Sequence, residues 1–482
     1  MVAEANTGQP RMIDVYRDAI ASVEEEVDRP LERVSGRVPG SLRGVLYRNG
    51  PGRQELFGIP YGHPFDGDGM VTRFDFSSGG VRYRNRYVRT REWLEERRRG
   101  RPLYRSFGTN LPGGLTSNLL RMRFKNAANT SVVHHGGRLM ALWEGGLPHT
   151  LDPDTLATLR RFDFGGRLLN QHPLERVLAP ELPFSAHPKR CPNTGELFNF
   201  GMALGVRSRL VLYRVTSGGA LAQTTSFTLR DLSFVHDFVL TERSLVFFLP
   251  AVAFDVPRTL LGLTTPVDSL KMLDRPMRIL IFDRRSLSLR YELEGEPGFF
   301  FHFANAYEED GEISVDGFRL PELPDAQATR DIVEGRDRAF PRAQLVRTRL
   351  AEGQRKAHSE RLFDDFGELP SIDARRVSGR HRVVFAPLTP GARGDPFLTQ
   401  LGRFDVVSGE RVVRDFGRDL IGEAIFVADG EEEAHGWLLV LCHSAKDGRG
   451  ELRVLNAQDL SDVAHFALPH NLPPGFHGTY VG

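Results

Sequence analysis

Four histidines, His187, His236, His302 and His477, lie far apart in the chain. Each sits in a compact apolar or turn-like setting: FSAHPKR, FVHDFVLT, FFFHFANAYEED and GFHGTY. A local metal motif places two ligands one helical turn apart on a single element. Ligands drawn from segments this distant demand a fold that returns the chain repeatedly to one axis. Neutral imidazoles suit Fe, Zn, Cu or Ni. A site built from them, with neither thiolate nor carboxylate on the metal, leaves the ion its full positive charge. A lone histidine in an apolar strand is more often a hydrogen-bonded core residue, and the chain has 15. The other eleven lie mostly near turns or in mixed polar runs.

The rest of the pattern shows what could bring four such segments together. A weak helical periodicity runs from about residue 11 to 30, where Pro30 ends it. Beyond it, short alternating runs are punctuated by Gly, Asp, Asn and Ser, the signature of many antiparallel strands. A loose unit recurs: a β-run, an acidic or polar turn, a second β-run. VTRFDFSSGGVRYRNRYVR, MRILIFDRRSLSLRYELE and LGRFDVVSGERVVRDFG are three examples. Hairpins of this kind, unbroken by βαβ alternation, predict a β-propeller, with a sandwich or barrel pair as the alternative. A propeller explains the histidines, because the inner strand of each blade lines one central channel. Residues 1–30 are expected to form an N-terminal helical segment and residues 31–482 a single catalytic domain. Within that domain, 249–273 (apolar, without clean alternation) and 321–360 (polar, loop-like) read as insertions.

Composition narrows the function. Lys+Arg 63 against Asp+Glu 62 leaves a formal charge of +1, with no basic stripe to track a phosphate backbone, so nucleic acid is not an expected partner. The densest basic run, RRRGRP, reads as a solvated loop or helix end. The two cysteines, Cys191 and Cys442, form no CxxC, which argues against a thiolate site or a disulfide framework. The N-terminus has no secretory pattern and no run of 18 apolar residues occurs, so a reducing cytoplasm is the expected compartment.

Metal-bound histidines normally donate their second ring N–H to an acceptor, often a carboxylate. Glu144 in ALWEGGLP, Glu368 in FGELPSID and Glu423 in IGEAIFVA are candidates, although spacing alone does not separate them from solvated strand ends.

The motifs RNGPG, HPFDGDGMV, KNAANTSV, LWEGGLPH, AHPK, VHDF, NAYEE, ELPSID, GEAIFV and HGTY follow one another as in the carotenoid cleavage oxygenases. From about residue 30 onward the chain resembles that family, and most of all its bacterial apocarotenoid-cleaving branch. The resemblance implies an all-β, seven-bladed β-propeller with a helical and loop cap over one face. It implies a non-haem Fe(2+) held by His187, His236, His302 and His477. Glu144 would support His236, Glu368 would support His302 and Glu423 would support His477, while His187 would have no such partner. The implied reaction splits a C=C bond of an apocarotenoid with O2 into two carbonyls, retinal among the candidate products. Stilbene cleavage, iron-dependent polyene isomerisation and a non-catalytic binding propeller are the alternatives. Stilbene-cleaving relatives carry a Lys just before the equivalent of Glu144; here Trp143 stands there.

Many relatives narrow access to the iron with a Thr, and Val133 is assigned to that position. Phe65, Trp143, Phe234, Phe301 and Leu369 are expected, with Val133, to face an apolar polyene. The chain has 33 Phe, most of which must be ordinary core. The resemblance further implies that 249–273 docks reversibly on a membrane surface from the cytoplasmic side. No obligate protein partner is evident.

Overall fold

The computed structural model describes all residues except 1–9, 78, 122, 171–179, 204–207, 232, 391–393, 395 and 474. Seven antiparallel sheets of three to five strands succeed one another along the chain. Their inner strands are Ser131–His135, Lys189–Arg190, Val239–Leu240, Phe299–Glu309, Val383–Leu388, Leu420–Ala428 and His477–Val481. This is the expected seven-bladed propeller. The ring closes where His477–Val481 pairs antiparallel with Val45–Pro51, joining the two ends of the chain in one blade.

The hairpin turns show why the sequence folds this way. Asp75, Asp152, Asp283, Asp405 and Asn456 each end a strand or follow one, and each accepts backbone N–H bonds from residues two or three positions on. A short polar side chain thus closes the turn before the return strand starts. Four residues after Asp152, Asp283 and Asn456 stand Leu156, Leu287 and Leu460, all buried and all at positive φ (58°, 56° and 61°). Left-handed backbone is unfavourable for a branched side chain, and burial of each leucine under its hairpin offsets it. After Asp405 the same position is taken by Gly409 (φ 79°), which meets no such cost.

Between blades, apolar faces meet in compact clusters. Phe198, Phe200, Phe238, Phe247 and Phe282 fill the gap between the third and fourth blades. Much of the chain's phenylalanine is spent here, as expected.

Two readings change. The N-terminal helix is Met12–Ala19 only, and Asp28–Pro30 is a strand on the edge of the ring-closing blade. The segment 321–360 is not a loop insertion: Gln344–Ala351 and the start of His358–Phe366 are outer strands of the fifth blade, preceded by the helix Ala326–Val333. The polar alternation that suggested a loop belongs to strands with one face in solvent. RRRGRP, in contrast, straddles the C-terminal end of the helix Arg91–Arg99.

The cap is built from 104–124 together with 249–273, whose elements are Val252–Phe254, Val256–Leu260, Pro266–Ser269 and Leu270–Met272. Arg105, fully buried, holds the two stretches together. Its guanidinium donates to the carbonyls of Thr259 (2.8 Å), Thr264 (2.9 Å) and Arg121 (3.3 Å). Leu115, Leu119, Leu120, Val256, Leu261 and Leu263 project from this cap into solvent, Leu120 at 70 % exposure. Among the described residues no helix is long and apolar enough to cross a membrane.

Candidate metal centre

His302 lies within the inner strand Phe299–Glu309, His477 opens its strand, and His187 and His236 stand two and three residues before theirs. The propeller brings all four to the axis, where one ring nitrogen from each lies within 4.8 Å of the others. His187 and His236 face each other Nε2 to Nε2 at 3.0 Å. The buried Nε2 of His302 has no hydrogen-bond partner among the described residues. An unpartnered buried ring nitrogen is costly, and four ring nitrogens converging in this way are a donor set that fits a metal ion.

The carboxylates act from behind. Glu368 Oε2 meets His302 Nδ1 at 2.5 Å, and Glu423 Oε1 meets His477 Nδ1 at 3.0 Å. Each carboxylate claims Nδ1 and turns Nε2 towards the axis. Glu144 stands less close: its Oε1 is 3.6 Å from His236 Nδ1 and 3.5 Å from His187 Nε2. Burial, and then the neighbouring imidazoles, push His187 and His236 well below the usual histidine range, so both are neutral, as metal ligands must be. Burial acts in the same sense on His302, but Glu368 outweighs it and moves that ring upward. Burial without a paired cation, reinforced by Asp237, drives Glu144 far up. Burial opposes the charge on Glu423 too, yet His477 and Arg48 hold it down.

Arg48 is a residue that sequence reasoning missed. It is 2 % exposed, pairs with Glu423, and reaches the carbonyl of Phe476 at 3.3 Å. It therefore fixes both the carboxylate behind His477 and the backbone in front of it. Its only signal was position, in RNGPG.

Aromatic side chains run away from the histidines in a continuous row. Phe301 meets His236 edge-on (5.5 Å, 84°), and Phe234 stacks near His236 (6.4 Å, 28°) and on Phe299 (5.8 Å, 14°). Phe234 also stacks on Phe107 (6.1 Å, 15°), which meets His63, which in turn meets Phe65. Phe65 is 41 % exposed and packs edge-on against Phe476, next to His477. Phe107 and Phe299 were not picked out from sequence. Phe107 is steered by Asp66, whose carboxylate accepts the N–H of Gly108 (3.1 Å) and the hydroxyl of Thr109 (2.5 Å).

Trp143 is half-buried and immediately precedes Glu144. Leu369 adopts φ 55° and donates its N–H to Glu368 Oε2 at 2.5 Å, so a strained backbone secures that carboxylate. Val133 lies elsewhere. It pairs with Met140 and packs against the core between the second and third blades. The residue level with Trp143 is Thr130, whose N–H bonds the carbonyl of Leu142 (3.0 Å). Three residues of extended strand, about 10 Å, separate Thr130 from Val133. Thr130, not Val133, is therefore the residue level with Trp143.

Residues 20–482 match the family model described as Retinal pigment epithelial membrane protein. The chain is similar to Apocarotenoid-15,15'-oxygenase of Synechocystis sp., 33% identical over 95% of this chain and 94% of that protein. It is similar to Carotenoid cleavage oxygenase 1 of Neurospora crassa, 30% identical over 93% of this chain and 86% of the other. Among solved structures, cobalt-substituted Synechocystis apocarotenoid oxygenase shares its fold with a TM-score of 0.90, at 32% identity over 97% of this chain and 98% of that one.

Proposed function

Because the chain belongs to the Retinal pigment epithelial membrane protein (RPE65) family, whose model matches residues 20–482, we propose that it is a non-haem Fe(II)-dependent oxygenase of apocarotenoids. The observation that carries this reading is the convergence of four histidine ring nitrogens at the foot of an aromatic row. In the reaction, one C=C bond of the polyene breaks, and each of its carbons takes one atom of O2 to become a carbonyl.

His187, His236, His302 and His477 hold the iron, oriented by Glu144, Glu368 and Glu423. When bound, Fe(II) supplies the one-electron chemistry that lets O2 react with a closed-shell polyene. The protein supplies the remainder. Phe301 and Phe234 hold an apolar chain beside the histidines and exclude water, Phe107 and Phe65 extend that surface outwards, and Trp143 and Leu369 border Glu144 and Glu368. Thr130 narrows the approach beside Trp143. A phenolic stilbene finds no amine in this row. The nearest lysine along the chain to a ligand, Lys189, is already paired with Asp237 at 2.7 Å.

The exposed leucines of the cap support docking on a lipid bilayer. Val267 N–H bonds the carbonyl of Phe107 (3.0 Å), so the cap that carries the patch adjoins the aromatic row, where a polyene drawn from lipid would enter. The patch is wider than 249–273, since Leu115, Leu119 and Leu120 contribute to it.

The test is anaerobically purified, iron-loaded protein given apo-8'-carotenal or resveratrol and then O2, with products separated and iron quantified. Retinal with one iron per chain supports the proposal. Cleavage of resveratrol alone transfers the function to stilbenes, and iron binding with turnover that consumes no O2 makes the protein an isomerase.

A further inference from the structure

Asp237 follows the ligand His236 in the chain, and Lys189 lies two residues after the ligand His187. Lys189 Nζ meets Asp237 Oδ1 at 2.7 Å, with the carboxylate almost wholly buried. The same carboxylate accepts two backbone N–H groups: Phe238 (2.8 Å), beside His236, and Phe303 (3.1 Å), immediately after the ligand His302. The second bond has a specific origin. The pairing between Phe299–Glu309 and Glu312–Leu320 loses register between Phe300 and Phe303. His302 lies inside this break, and the Phe303 N–H beside it is directed to Asp237. Gly317 opposite leaves room for the break, since a Cβ there would stand 2.7 Å from the Phe303 ring. An amide freed by a bulge inside a protein needs an acceptor, and Asp237 is that acceptor.

One ion pair therefore touches three ligand-bearing segments. Resting on the metal reading above, we propose that Asp237 and Lys189 are positioning residues that set the spacing of His187, His236 and His302 as a unit. The arrangement fits the uneven support of the four rings. His302 and His477 each have a close carboxylate of their own, and His477 has Arg48 beside its backbone. His187 and His236 share the more distant Glu144, and theirs are the segments that the pair binds together. A buried ion pair is a poor source of net stability, because desolvation offsets its attraction. It is a good source of fixed geometry, because few arrangements satisfy both charges and two amides.

The test uses the full-length protein stripped of metal and titrated with Co(II) against a competing chelator, with the visible ligand-field spectrum recorded at saturation. Asp237→Asn keeps an oxygen for one amide but loses the ion pair. Lys189→Met loses the pair and keeps both amide bonds. Each is expected to bind Co(II) about 10- to 100-fold more weakly and to shift the ligand-field bands. The double variant is expected to be no weaker than Asp237→Asn alone, and Lys189→Arg to recover wild-type affinity and bands. Wild-type affinity and bands in both single variants, even with lowered melting temperatures, would reduce the pair to ordinary packing. If the wild-type protein itself takes up no Co(II), the metal reading falls and this proposal with it.

Discussion

Glu144 and Glu423 are expected to play the same part towards the metal but opposite parts in the metal-free protein, and glutamine substitutions separate the two. Glu423 accepts from His477 Nδ1 (3.0 Å) and Gly478 N (3.2 Å) and neutralises Arg48. Glu423→Gln leaves a guanidinium that is 2 % exposed without its counter-charge, holding only backbone carbonyls. Stranding one partner of a buried pair costs about 3–5 kcal/mol. A chain of 482 residues unfolds with an entropy of roughly 1 kcal/mol per kelvin, so the metal-free protein should melt about 3–5 °C lower. Among the described residues Glu144 faces no paired cation, and burial disfavours its charge. Glu144→Gln keeps the shape, keeps an oxygen for the Ala186 N–H, and removes only a disfavoured charge, so its melting point should move by less than about 1 °C. Both variants should lose metal affinity about 10- to 100-fold. Calorimetry of the chelator-treated proteins, followed by Co(II) titration, reads both quantities. Equal falls in melting temperature would refute the argument, because it rests on Arg48 being present behind one carboxylate and absent behind the other.

His302→Ala should retain no iron after gel filtration and have no cleavage activity; an active, iron-loaded variant would remove His302 from the site. Burial, with Arg330 adding to it, pushes His63 down to about 3, and its Nδ1 accepts the Phe65 N–H (3.2 Å). Its folded value lies below its unfolded one, so its contribution to stability is complete above pH 6.5 and is lost as pH falls towards 3. Between pH 6.5 and 5 that loss is about 2 kcal/mol, and urea unfolding of His63→Gln should lack this part of the acid slope. Phe107→Ala should raise KM for apo-8'-carotenal several-fold with iron content unchanged; an unchanged KM would place the polyene elsewhere. Leu120→Glu combined with Leu263→Glu should abolish co-sedimentation with phosphatidylcholine vesicles while leaving activity in detergent intact, and undiminished binding would exclude the cap patch.

Most of the centre was legible because its residues sit inside short ordered motifs, which is why the four histidines and three glutamates could be named before any coordinates. What the motifs did not reveal is what their remaining letters do. Lys189 is the last letter of AHPK and Asp237 the third of VHDF, yet their pairing depends on two blades meeting, which no local pattern encodes. Arg48 and Phe107 were hidden for the same reason, each more than 120 residues from its partner in the site. Val133 was misplaced by counting along NTSVV without the strand register, which sets Thr130 level with Trp143. The propeller was readable from its hairpins, and a sharper signal lay in the turns: an Asp or Asn followed four residues later by Leu or Gly marks all five, Gly79 after Asp75 (φ 74°) included. The fifth blade escaped because its outer strands alternate charge with modest apolar residues.

The strand that closes the ring also carries His477, and its partners on Val45–Pro51 stand from 428 (Asn49 to His477) to 436 (Val45 to Val481) positions away in the chain. Pairing over such a span is among the slowest events of folding, so the fourth ligand arrives only when the circle is complete. The converse governs the finished protein. An ion held by all four histidines would lose one of its ligands whenever this one strand lifted away. Metal exchange should therefore report the breathing of the closure strand, and a chelator competes with the ring as much as with the imidazoles.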